Sequence, residues 1–191
     1  ADGAAADALL AEAGYDPARP LVLLNPGGAF GPSKLWPMER YAQLAEHLIE
    51  THHAQIIINA APNEQAAIAA VARAMTHAPL LDFSGRSNTL NALKSLVAAC
   101  DLVVTNDTGT RHIAAALGTP LVTIFGSTDP AWTTLDCPRE ITIISDAPCA
   151  PCQKKACPID PTDATFHQCM TSISVETVAA AAEKLLAGGA R

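Results

Sequence analysis

Aromatic side chains are scarce in this chain: two Trp, two Tyr and four Phe make up 4% of its residues. Charge is scarce as well, at 16% Asp, Glu, Lys and Arg against the ~25% usual for soluble domains. Twelve basic residues stand against 19 acidic ones, a net charge of −7, and nowhere do Lys and Arg gather into a stripe. Phosphate-backbone contacts require such a stripe, so the composition predicts no nucleic-acid partner. No run approaches the ~18 consecutive apolar residues of a membrane span, so no transmembrane segment is expected. The first ten residues have neither the basic start nor the apolar centre of a signal peptide, and the sequence alone therefore predicts a cytoplasmic protein.

What is abundant is small and apolar. Hydrophobic residues make up 49% of the 191 positions, and 38 positions are Ala, which lets helices approach a sheet closely. That length is ample for one complete core and short for two full-sized domains. Six cysteines are too sparse for a disulfide scaffold, but four of them crowd between Cys149 and Cys169, the mark of a local site.

Apolar runs and their punctuation alternate strand and helix patterns. Strands are predicted at 21–25, 55–59, 80–82, 101–105, 120–125 and 140–145, and helices at 37–51, 62–77, 89–99 and 110–117. Most of the strands are runs of Leu, Val and Ile, as expected where both faces of a parallel sheet are covered. Pro37 and Pro62 suit a first helical turn, and Gly118 before Thr119-Pro120 is a stop signal. Right-handed crossovers between such strands predict an α/β fold, a doubly wound Rossmann-like parallel sheet. Residues 1–19 form a connecting segment with a short helix at 4–13. Residues 20–191 form the domain, including a Cys- and Pro-rich loop at 147–172 and a closing helix at 174–188 that begins on Ser174 and ends at Gly188-Gly189.

With strand order 3-2-1-4-5-6, the crevice opens at the carboxyl ends of the first and fourth strands. The loop after the first holds Gly27, Gly28 and Gly31 and then Lys34. This pattern suits an anion approached by backbone amides and a compact ammonium, and equally a glycine-rich turn with a solvated lysine. Its glycine spacing fits neither a dinucleotide fingerprint nor a P-loop, which disfavours a dehydrogenase. The loop after the fourth strand, 105–112, brings Thr108 and Gly109 to a helix start, where free amides cradle phosphate, with His112 on the first turn. Asp107 there either caps the helix or meets sugar hydroxyls. Glu64, after the second strand, suits ribose hydroxyls or simply the helix macrodipole, and residues 85–89 flank a base or cap the next helix. These residues together point to a nucleotide-sugar whose diphosphate leaves with electrostatic help.

The segments at 28–37 (Gly-Ala-Phe-Gly-Pro-Ser-Lys-Leu-Trp-Pro), 106–120 (from Asn-Asp-Thr-Gly-Thr-Arg-His through Gly-Thr-Pro) and 125–130 (Phe-Gly-Ser-Thr-Asp-Pro) resemble those of the glycosyltransferase family nine heptosyltransferases. The likeness extends through the Cys-x2-Cys-x4-Cys segment to the end at 167–174 and corresponds to the carboxyl-terminal half of such enzymes. It implies the second half of a GT-B architecture, an inverting transfer from ADP-heptose to the lipopolysaccharide inner core, and peripheral placement at the inner membrane for the full-length enzyme. No cofactor is implied. It assigns Lys34 and Asp107 as catalytic residues. Ala29, Phe30, Ser33, Lys34, Glu64, Asn88, Asp107, Thr108, Gly109 and His112 are assigned to the donor, with Lys34 on the diphosphate, Asp107 on the transferred sugar, Glu64 on the ribose and Asn88 near the adenine. In that family the acceptor site and the base lie in an amino-terminal domain, so this chain alone is expected to bind donor without transferring sugar. A non-catalytic nucleotide-binding module, or a transferase for a different nucleotide-sugar, is the alternative. Arg111 stands where the family has a small or apolar residue, which predicts a changed sugar-facing environment.

Cys149, Cys152, Cys157 and Cys169, with His167 nearby, have a spacing compatible with tetrahedral zinc, with free thiols or with one or two disulfides. Cys100, in an apolar helix end, reads as packed core.

Overall fold

The computed structural model describes residues 2–86 and 88–189. Ser87, in the 85–89 loop, and residues 1, 190 and 191 lie outside them. Six parallel strands, β1 (Leu21–Asn25), β2 (Gln55–Ile58), β3 (Leu81–Asp82), β4 (Leu102–Asn106), β5 (Leu121–Phe125) and β6 (Glu140–Ile144), form one sheet in the order β3-β2-β1-β4-β5-β6. This is the expected doubly wound topology. In the central register Leu23 lies opposite Ile57 on β2 and Val103 on β4.

Alternation along each strand divides the core between the two faces. Val22, Leu24, Ile56, Ile58, Val104 and Ile124 face one way, where they pack against α2 (Met38–His52), α3 (Gln65–Ala74) and α7 (Val175–Ala187). Leu21, Leu23, Ile57, Val103 and Leu121 face the other way and pack against α1 (Asp2–Glu12), α4 (Leu90–Ala99) and α5 (Gly109–Leu117). All five residues of β1, β4 and β5 are buried, as an interior parallel strand requires. Ala6 and Leu10 of α1 are buried in the second cluster, so the helix of the connecting segment shares the domain's core. Cys100 is buried there too.

Caps explain several helix ends. Ser174 accepts from the Thr177 amide at the start of α7, and Thr89 accepts from the Ala92 amide at the start of α4. Gly118 closes α5 at φ 68°, the left-handed conformation glycine adopts without penalty. α3 begins at Gln65, not at Pro62, because residues 61–64 close a turn in which the Glu64 amide donates to the Ala61 carbonyl. The irregular 147–172 stretch contains one short helix, α6 (Gln168–Thr171). A parallel sheet brings the loops after β1, β2, β3, β4 and β5 to the same edge, and every candidate side chain outside the cysteine loop is on one of these loops or on the helix it enters.

Candidate functional site

Three strands carry Asn at or just beyond their carboxyl ends: Asn25, Asn59 and Asn106. Their amides join the loops into one frame. Asn25 Nδ2 donates to Thr105 Oγ1 and Thr108 Oγ1, each at 3.1 Å, while its Oδ1 accepts from Thr110 Oγ1 (3.1 Å) and Asn59 Nδ2 (2.6 Å). Asn88 Nδ2 extends the relay to Asn59 Oδ1 at 2.9 Å. Asn106 Nδ2 holds the carbonyls of Pro26 and Gly27 at 2.9 and 3.1 Å, and Tyr41 Oη donates to Asn106 Oδ1 at 3.1 Å. Complete burial pushes the Tyr41 hydroxyl pKa well above its ordinary value, so it acts only as a neutral donor. A buried hydrogen-bonded network fixes loop positions, because breaking one of its bonds leaves an orphan costing about 1–3 kcal/mol. In the sequence this frame shows only as Asn at the ends of three strands, β1, β2 and β4.

Along this sheet edge runs a cleft of about 280 Å³. Gly28, Ala29, Glu64, Asn88, Thr108 and Gly109 line it, with Leu90, Leu93 and Ile113 as apolar wall. Gly109 starts α5, and an added Cβ there would meet nothing within 4 Å, so the helix amides open onto unfilled space. Thr108 turns its hydroxyl into the Asn25 relay and does not cap α5. Glu64 reaches back over the glycine loop: its Oε1 accepts from the Gly28 amide at 2.7 Å, and a Cβ on Gly27 would lie 2.2 Å from its Oε2. That amide is therefore already occupied. Within the relay Asn88 Oδ1 is buried without a hydrogen-bond partner.

Beside the cleft, Lys34 and Asp107 form a short ion pair of 2.5 Å, their side chains 11% and 8% exposed. Lys34 Nζ also reaches the Asp107 carbonyl at 3.0 Å and lies 4.9 Å from the Phe30 ring centre. The Asp107 carboxylate thus goes to an ammonium and not to the amides of α5, which removes the reading of Asp107 as a helix cap. His112 is on the first turn of α5 but is exposed and does not line the cleft. Ser33 is buried, its hydroxyl bonded to Ser127 Oγ at 3.0 Å and to the Lys154 carbonyl. Arg111 turns away from the site: its guanidinium is buried, paired through Nε with Glu140 at 2.6 Å and bonded to the Thr133 carbonyl at 2.6 Å. The expectation that it changes the sugar-facing environment is corrected, since Glu140 at the start of β6 and Thr133 hold its side chain, which does not line the cleft.

The cysteine-rich loop braces the lysine loop. The Ser33 amide donates to the Lys155 carbonyl at 3.2 Å, and His167 Nε2 donates to the Ser33 carbonyl at 3.0 Å. Cys149 is exposed, Cys152 and Cys157 are half-buried and Cys169 is buried; all are free. Burial first, then the neighbouring Cys149, Cys152 and Cys157, push the Cys169 thiol up to about 11. Among the described residues, the group of three or more His, Cys, Asp or Glu with ligand atoms within 4.8 Å of one another is Glu46, Glu50 and His77, remote on α2 and beyond α3. The cysteines make no such set, so zinc, one of the three readings compatible with their spacing, is not supported: Cys169 is buried where α6 packs on Gly126, while Cys149 stands out at the surface.

Sheet order, cleft and ion pair define a doubly wound α/β domain with its candidate ligand site at the switch point between β1 and β4. Residues 3–162 match the family model described as glycosyltransferase family 9 (heptosyltransferase). The chain is 40% identical over 119 residues to lipooligosaccharide heptosyltransferase 2 of Haemophilus influenzae, covering 60% of this chain and 34% of that protein. It is 37% identical over 117 residues to lipopolysaccharide heptosyltransferase 2 of Escherichia coli, covering 60% and 33%. The solved structure of E. coli ADP-heptose lipopolysaccharide heptosyltransferase II superposes with a TM-score of 0.77 at 26% identity, over 96% of this chain and 51% of that one. The chain belongs to glycosyltransferase family 9. It spans about a third of the length of these curated relatives in the matched region and about half of the solved chain.

Proposed function

We propose that this chain is the donor-binding half of an inverting heptosyltransferase that takes ADP-heptose and delivers heptose to the lipopolysaccharide inner core. The observation that supports this most is an ammonium, Lys34, held on Asp107 just before the open amino terminus of α5, which lines a cleft with one apolar wall. In this reading the adenosine occupies the cleft, with Glu64 turned to the ribose and Asn88 beside the base. The Thr108 and Gly109 amides, with Ala29 and Phe30 opposite, enclose the diphosphate. Asp107 meets the transferred sugar once Lys34 has moved onto the phosphates, and His112 lies outside, where the sugar and a facing domain would close. Ser33 serves by anchoring the loop that carries Lys34.

Chemically, a base from a facing acceptor domain removes the acceptor hydroxyl proton, and that oxygen attacks the anomeric carbon as the bond to ADP breaks. The negative charge gathers on the leaving diphosphate, where Lys34 and the α5 dipole stabilise it without a divalent cation. Such a chain binds donor alone and transfers only with its acceptor domain, as a cytoplasmic enzyme peripheral to the inner membrane. Among the described residues no helix is long and apolar enough to cross a membrane. Calorimetry with ADP tests the reading: Lys34→Ala should weaken binding at least tenfold while the circular dichroism spectrum stays native. Unchanged affinity would refute it.

A further inference from the structure

The loop after β5 is set with unusual firmness. At Gly126 a side chain would lie 2.2 Å from Met170 Sδ and 2.8 Å from the Cys169 carbonyl, so α6 packs directly onto the backbone there. Ser127 Oγ bonds Ser33 Oγ at 3.0 Å, and the Ser127 carbonyl accepts from the Gln153 amide at 2.8 Å. Gly126 and Ser127, the two residues before it, being held, Thr128 leaves a fixed backbone. Its hydroxyl donates to Asp107 Oδ2 at 3.0 Å, with Thr128 and Asp107 each 8% exposed. Lys34 uses the same oxygen, and neither bond falls on Oδ1.

We propose that Thr128 is a positioning residue: its hydroxyl holds the Asp107 carboxylate in place when Lys34 leaves it for a diphosphate, so that Oδ1 is presented to a hydroxyl of the donor sugar. This rests on the reading of Asp107 as the sugar contact. While Lys34 is on Asp107, two donors fix the carboxylate; once the ammonium moves, Thr128 alone does. Without it a freed carboxylate rotates, either following Lys34 or turning to solvent, and the sugar loses its acceptor. Thr128 thus acts through Asp107 on the sugar and leaves the nucleotide untouched.

The test is the ratio of dissociation constants for ADP and ADP-heptose, measured by calorimetry on this chain as wild type, Thr128→Val, Thr128→Ser and Asp107→Asn. A hydrogen bond to a charged group sets the scale: Thr128→Val should reduce the sugar's contribution to affinity about tenfold and leave ADP itself within about threefold, and Thr128→Ser should restore the ratio. If Asp107→Asn abolishes the sugar's contribution but Thr128→Val leaves it intact, the positioning role is overturned and the donor reading stands. If neither substitution changes the ratio, Asp107 does not meet the sugar and both fall. Should the valine variant fail to fold, Thr128→Ala takes its place against the serine control, with the same outcomes.

Discussion

The ion pair between Lys34 and Asp107 makes a counter-intuitive prediction about ADP. In the free protein the ammonium that would meet a diphosphate is neutralised at 2.5 Å by a carboxylate only 8% exposed. Binding therefore exchanges one anionic partner of Lys34 for another and brings the diphosphate close to Asp107. Two unit charges about 4 Å apart interact by about 4 kcal/mol at an effective dielectric constant of about 20. The diphosphate recovers most of what Lys34 gives up, so the net penalty is the residual repulsion between Asp107 and the phosphates, about 1–2 kcal/mol. Asp107→Asn removes that penalty while its amide oxygen can still accept from Thr128 and Lys34. ADP should then bind about tenfold more tightly, with the gain shrinking as salt is raised, whereas ADP-heptose should gain little because its sugar loses a charged acceptor. Isothermal titration at two ionic strengths reads both effects. Weaker or unchanged ADP binding by Asp107→Asn would refute the claim that Asp107 restrains Lys34.

Three further outcomes follow from the same structure. Arg111→Met strands Glu140, which is 7% exposed and also bonded to Thr123, and should cost about 3–5 kcal/mol in denaturant unfolding with little change in ADP affinity among the molecules still folded. Gly109→Ala adds a methyl into space that is empty in the free protein, so its melting temperature should stay close to wild type while ADP binding weakens because the helix amides are shielded. Alkylation at pH 8 followed by peptide mass mapping should modify exposed Cys149 well before Cys169, whose thiol, pushed up to about 11, stays protonated; equal rates would contradict its burial.

The strand positions and the two loops at the switch point were legible because both derive from local pattern: runs of Leu, Val and Ile report burial, and glycines next to Lys34 or ahead of a helix report unusual backbone; the strand order was taken from the common topology of such sheets, and the structure has it. What could not be read was where side chains turn. Arg111 lies between motif residues, yet its destination depends on Glu140, 29 positions later and two strands away. Ser33 has the chemistry of a phosphate ligand, but its hydroxyl is claimed by Ser127 and by the backbone of the cysteine loop. Cysteine spacing left metal, thiol and disulfide open because spacing carries no information on depth, and Cys149 and Cys169 differ in just that. The Asn relay was missed for the opposite reason: each Asn alone is unremarkable as a strand end, and only parallel pairing puts Asn25, Asn59 and Asn88 in hydrogen-bonding sequence.

In the proposed function, Lys34 and the amino terminus of α5 hold a nucleoside diphosphate between them. A crystal structure of this chain soaked with ADP tests it most directly. The phosphates should lie within hydrogen-bonding distance of Lys34 Nζ and the Thr108 and Gly109 amides, with Lys34 withdrawn from Asp107 and the adenosine along the cleft. ADP bound elsewhere, or bound at the cleft with the Lys34–Asp107 pair intact, would contradict it.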